Sequence, residues 1–112
     1  SILFTGDAGD KVLKDLINHS KLGQVDILKV SHHGGRNSVG KNILKTINPK
    51  FAILSHGNKK FGTGIVPNKV SINELLKYSS INILATNNIS ATSILQKKGI
   101  YCINNAEVIN FV

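Results

Sequence analysis

From residue 1 to residue 85, short apolar runs alternate with segments of helical period, and that alternation restricts the chain to a layered α/β fold. Residues 1–6 read as a buried strand. Asp10–Asn18 reads as an amphipathic helix with Val12, Leu13, Leu16 and Ile17 on one face, broken at Gly23. Val25–Val30 gives a second strand, after which Val39, Ile43, Leu44 and Ile47 recur at helical spacing up to Asn48-Pro49. Phe51–Ser55 is a third strand, Asn68–Tyr78 a third helix and Ile81–Ala85 a fourth strand. A β tail follows, with segments at Ala91–Gln96, Ile100–Ile103 and Val108–Phe111 and a turn at Lys97-Lys98-Gly99. Alternation of this kind argues for an α/β layer with short βα and αβ connections.

The 112 residues, 41% of them hydrophobic, have room for one modest core. Fourteen Lys and Arg against six Asp and Glu leave a formal charge of +8. That charge reads either as attraction for polyanions such as nucleic acid, phosphate esters or an anionic membrane, or as a solvated lysine-rich surface. Cys102 is the sole cysteine, which excludes an internal disulfide and any multi-cysteine zinc site, so a metal would be held by His and carboxylate. No stretch has the roughly 20 apolar residues of a membrane span, and the start lacks the order of a signal peptide, so the chain is expected to be soluble. Its opening runs straight into a strand with no lead-in, which leads to the expectation of a fragment.

Chemistry-bearing residues fall where strands end. Thr5-Gly6-Asp7 follows Ile2-Leu3-Phe4, and Ser31-His32-His33-Gly34-Gly35 follows Ile27-Leu28-Lys29-Val30. Carboxylate oxygen and imidazole nitrogen are the donors from which a zinc hydrolase site is built. Asp7 reads as a metal ligand or, alternatively, as a cap of the helix that follows. His32 and His33, if extended, point to opposite faces, so one addresses a metal and the other serves as an outer partner or proton carrier, with Ser31 and Ser38 nearby. His56 follows the third strand and joins the same rim if the strands are parallel. The loop Gly57-Asn58-Lys59-Lys60-Phe61-Gly62-Thr63-Gly64 reads as a phosphate grip through Lys59 and Lys60 or as a plain solvated loop. Asp26 and His19 read as structural, the first in capping or loop bonding and the second at a helix C-terminus.

Ile2-Leu3-Phe4-Thr5-Gly6-Asp7, Asp26-Ile27-Leu28-Lys29-Val30-Ser31-His32-His33-Gly34 and Pro49-Lys50-Phe51-Ala52-Ile53-Leu54-Ser55 together resemble the second half of metallo-β-lactamase fold hydrolases. The nearest branch is similar to the hydrolase domain of the bacterial DNA-uptake competence protein and its stand-alone relatives. The resemblance implies that residues 1–112 are a single partial domain, the C-terminal half of a four-layer αββα sandwich whose cleft holds one or two zinc ions. It implies Asp7 and His33 as metal ligands, His32 and His56 as catalytic groups beside them, and Lys59 and Lys60 as substrate contacts.

Three departures accompany the resemblance. The family's early His-x-His-x-Asp-His segment is absent from these residues, Gly35 stands where a serine is usual, and Gly64-Ile65-Val66-Pro67 lacks the histidine that commonly precedes the proline. The expected partner is therefore the N-terminal half of the same fold, and a bare inner sheet face would promote self-association. The expected activity, metal-dependent hydrolysis of phosphodiester or nucleic acid, belongs to the full-length parent rather than to this half alone. The parent would be cytoplasmic if it stands alone and extracytoplasmic and membrane-attached if it is part of a competence protein. Two rival expectations are a non-catalytic basic nucleic-acid-binding module and an inactive fragment.

Overall fold

A computed structural model describes residues 1–40, 42–56, 60, 61, 64, 65, 67–86, 100–104 and 107–110. Four parallel strands, β1 (Ile2–Phe4), β2 (Ile27–Lys29), β3 (Phe51–Leu54) and β6 (Asn82–Ala85), lie side by side in that order. The sheet continues through β7 (Ile100–Asn104), parallel to β6, to β8 (Glu107–Asn110), which is antiparallel to β7. Helices α1 (Asp10–Asn18), α2 (Ile43–Ile47) and α3 (Lys69–Leu76) connect the first four strands. The α/β class read from the alternating pattern is therefore the fold observed. The described residues form one main sheet; the four-layer sandwich is an arrangement beyond it.

Each crossover steps to the adjacent strand in the same direction, and right-handed connections of this kind place every helix on one face. On that face Leu3, Leu28, Ala52 and Ile83 lie in register. They pack with Leu13 of α1, Ile43, Leu44 and Ile47 of α2, and Ile72 and Leu75 of α3 in one buried cluster. Full burial of each large aliphatic side chain contributes about 1.5–3 kcal/mol. The second face carries the alternate residues, the rows Ile2, Ile27, Phe51, Asn82 and Phe4, Lys29, Ile53, Leu84. It is apolar yet open: Ile2 is 56%, Phe4 76% and Phe51 37% exposed. Parallel sheets are normally covered on both faces, so this face departs from the rule for isolated domains.

Several boundaries differ from the sequence reading for local reasons. Of the predicted α1 face, Leu13 is buried and Ile17 half-buried, whereas Val12 and Leu16 face solvent, because one i, i+4 stripe is enough to meet the sheet. Helix α2 is confined to Ile43–Ile47 between Asn42 and Asn48, both in left-handed conformation, and buried Pro49 follows. Helix α3 starts at Asn68, whose side-chain oxygen accepts from Val70 N at 2.9 Å. His19 caps the end of α1 by donating from Nδ1 to Asp15 O at 2.7 Å, and Asp26 O accepts from Lys50 N at 2.8 Å and Phe51 N at 3.2 Å. The stretch read as a loop includes a two-stranded antiparallel ribbon, β4 (Lys60–Phe61) and β5 (Gly64–Ile65). The β tail is present at Ile100–Asn104 and Glu107–Asn110, while Ala91–Gln96 lies outside the described residues.

Candidate functional site

The carboxyl ends of β1, β2, β3 and β6 open onto one edge of the sheet, the position at which ligand sites of open parallel sheets form. After β1, Thr5 Oγ1 donates to Lys29 O at 2.6 Å and Ala8 N donates to Thr5 O at 2.9 Å, closing a turn. Gly6 takes φ +55 in that turn. Asp7 emerges exposed from it. The cap reading for Asp7 is not realised, because Gly9 is the N-cap of α1 and makes no side-chain bond.

His32 and His33 do not continue β2 as an extended pair. They lie in a tight turn, Ser31–Gly34, with φ 50 and 55, so their side chains do not point to opposite faces as an extended strand would require. His32 N donates to Gly6 O at 2.9 Å, which ties this turn to the one carrying Asp7. His33 Nδ1 lies 2.7 Å from Ser55 O. A carbonyl accepts only, so Nδ1 carries the proton and the neutral ring keeps its lone pair on Nε2, the tautomer a metal ligand needs.

Glycine is required at the end of the turn. Gly34 has φ +80, and a Cβ there would sit 2.9 Å from Leu54 Cδ2 and 3.0 Å from Pro67 Cβ. Asn68 N donates to Gly34 O at 2.7 Å and Ser71 Oγ donates to Gly35 O, so the start of α3 clamps both glycines. A Cβ on Gly35 would lie 3.5 Å from both His32 Nδ1 and Ser38 Oγ. The hydroxyls of Ser31 and Ser38 are buried without a hydrogen-bond partner among the described residues.

His56 stands on the same rim, largely buried, and its backbone is held from both sides by one side chain. His56 N donates to Thr86 Oγ1 at 2.9 Å, and Thr86 Oγ1 donates to His56 O at 3.2 Å. Thr86 N in turn donates to Leu54 O at 2.9 Å, prolonging the β3–β6 ladder. Thr86 and Thr5 were missed in the sequence reading, although each is the first polar residue after an apolar strand, the same signal that singled out His56.

The structure thus gathers Asp7, His32, His33 and His56 at one edge. Among the described residues no group of three or more His, Cys, Asp or Glu side chains is placed to hold a metal ion. Lys59 lies outside the described residues, and Lys60 belongs to β4 in the separate two-stranded ribbon. No helix among the described residues is long and apolar enough to cross a membrane.

Residues of this chain are similar to two curated bacterial proteins. Recombination protein 2 of Haemophilus influenzae is 40% identical over 57 residues, 51% of this chain and 7% of that protein. ComE operon protein 3 of Bacillus subtilis is 32% identical over 87 residues, 77% of this chain and 11% of that protein. The chain therefore corresponds to a small part of each of these relatives. No family model and no solved structure matches it.

Proposed function

We propose that this chain forms the C-terminal half of a metallo-β-lactamase fold hydrolase that cleaves nucleic acid or another phosphodiester in the course of DNA uptake. The observation that supports this reading is that the segments bearing Asp7 and His33 leave neighbouring parallel strands at one sheet edge, tied by the bond from His32 N to Gly6 O, with His33 Nδ1 bonded to Ser55 O. Similarity to a protein named for recombination and to a product of the ComE operon supports the link to DNA.

The donor set suits zinc in type, one carboxylate and one imidazole of fixed tautomer, and the remaining ligands would come from the other half of the fold. Asp7 and His33 would hold a divalent cation, which would supply Lewis acidity for activating water. Around it, His32 moves or holds a proton, and His56 does the same from the adjoining strand end. Lys59 and Lys60 meet the anionic substrate. The open apolar face of the sheet receives the second sheet of the sandwich, at the roughly 10 Å spacing of stacked sheets.

The test is metal analysis and phosphodiesterase assay of the natural protein that contains this chain. About two zinc ions per chain at most are expected for this type of site, with Asp7→Ala and His33→Ala each lowering metal content and hydrolysis together. Hydrolysis that persists with a chelator, or metal content unchanged in both variants, overturns the reading. The formal charge of +8 favours one rival, a basic module that binds nucleic acid without cleaving it. Salt-dependent DNA binding unaffected by chelator, with no hydrolysis by the natural protein, would establish that rival instead.

A further inference from the structure

We propose that Lys29 is a phosphate-binding cation of the strand-end site, an inference that rests on the phosphodiester reading above. Lys29 is the sole charged residue in the two rows of the open sheet face, between Phe4 of β1 and Ile53 of β3. A half-buried lysine in an apolar row costs desolvation that a methionine of similar length would avoid, so packing does not account for it.

The side chain turns toward the carboxyl end of its strand. Its Nζ donates to Val30 O at 3.0 Å, one residue before the turn that carries His32 and His33. Strand β2 lies between β1 and β3, whose carboxyl ends lead into Gly6-Asp7 and Ser55-His56, so a side chain bonded to Val30 O is directed toward that sheet edge. The backbone beneath it is fixed, since Lys29 O accepts from Thr5 Oγ1 at 2.6 Å. Among the described residues the ion pairs are Ser1 with Asp26 and Lys77 with Glu74, and neither involves Lys29. A lysine has three donors, and Val30 O takes one.

A cation on a rigid strand, in no ion pair among the described residues and near the sheet edge from which the segments of Asp7 and His33 emerge, suits a tetrahedral oxyanion. A phosphodiester would place one oxygen on the ammonium and another toward Asp7 and His33. Lys29 differs from Lys60 in this respect: Lys29 belongs to the central strands of the main sheet, whereas Lys60 belongs to the separate two-stranded ribbon.

The experiment uses the natural protein containing this chain and a fluorescein-labelled thymidine homopolymer, with binding read by anisotropy in EDTA across a salt series. Lys29→Met is expected to weaken binding roughly tenfold, as for loss of a charged hydrogen bond, and to reduce the salt slope by about 0.7. Lys29→Arg should keep both near wild type. Circular dichroism melting of both variants reports folding, and Lys29→Gln serves if Lys29→Met fails to fold. Wild-type affinity and slope in Lys29→Met or its substitute overturn the proposal, as does a wild type that does not bind the oligonucleotide. Hydrolysis is measured separately with metal restored: its absence in a wild type that binds DNA through Lys29 counts against the hydrolase reading alone.

Discussion

His33 Nδ1 donates to the Ser55 carbonyl oxygen across 2.7 Å, so a side chain from the turn after β2 is locked to the residue that follows β3. The bond crosses between neighbouring strands at their carboxyl ends and fixes both the tautomer and the direction of the ring. In long-range nitrogen–proton NMR spectra near neutral pH, His33 should therefore show the Nδ1–H tautomer, the less common form of a free neutral histidine. Zinc added to the natural protein should move the Nε2 resonance, and His33→Ala should lower zinc affinity at least about tenfold. A neutral ring protonated at Nε2 and not at Nδ1 in the metal-free protein would contradict the arrangement outright.

The two glycines after His33 are expected to differ in their tolerance. Gly34 combines a left-handed φ with a Cβ position blocked by Leu54 and Pro67, so Gly34→Ala should cost about 1–3 kcal/mol. Gly35 has φ −60, an ordinary value for any residue, and its Cβ position approaches His32 O at 3.2 Å. Gly35→Ser should stay within about 1 kcal/mol of wild type, since its hydroxyl enters the neighbourhood of Ser38 Oγ, which has no hydrogen-bond partner among the described residues. Urea titration of both variants checks the ranking, and equal losses would show that the turn is not held as described.

The order of strands and helices was legible because short apolar runs and period-3.6 apolar patterns are local properties, and the polar residues after each apolar run marked the strand ends. The positions of Asp7, His33 and His56 beyond β1, β2 and β3 were read that way. The conformation of His32 and His33 was not legible: their left-handed turn is set by bonds to Gly6 O and Ser55 O, from segments distant in sequence. Thr86 escaped for the same reason, since its partner His56 lies thirty residues earlier in the chain. Lys29 was read only as part of an apolar run, because sequence alone does not say toward which strand end a lysine folds. The short ribbon at Lys60–Phe61 and Gly64–Ile65 was hidden by glycines that equally suit a loop.

The open sheet face makes a separate prediction. Phe4 and Phe51 stand on it among Ile2, Ile27, Ile53 and Leu84, an apolar surface that the described residues leave uncovered. The isolated 112-residue chain should bind a hydrophobic dye and self-associate more strongly as salt screens its +8 charge. Phe4→Lys should suppress both effects while changing stability by no more than about 0.5 kcal/mol, because the ring contributes little to the folded core. Sedimentation equilibrium of the two proteins decides the matter. Unchanged association in Phe4→Lys would mean that the contacts form elsewhere, for example through Val12, Leu16 or Val70 on the helices.

Thr86 offers the sharpest test of how the rim is held. Its hydroxyl accepts from His56 N and donates to His56 O, so one side chain satisfies both backbone groups of a largely buried residue. Thr86→Val preserves shape and removes both of these bonds to the part-buried His56 backbone, at a cost of about 1–3 kcal/mol. The His56 amide should then exchange with solvent at least about tenfold faster, since each 1.4 kcal/mol is a factor of ten in an opening equilibrium. Thr86→Ser keeps the hydroxyl and should keep the protection. A loss of stability in Thr86→Val that leaves His56 exchange unchanged would assign Thr86 to general packing. Selective exposure of His56, with the Val30 amide still protected through its 2.9 Å bond to Ile53 O, would establish Thr86 as the residue that positions the histidine on the rim.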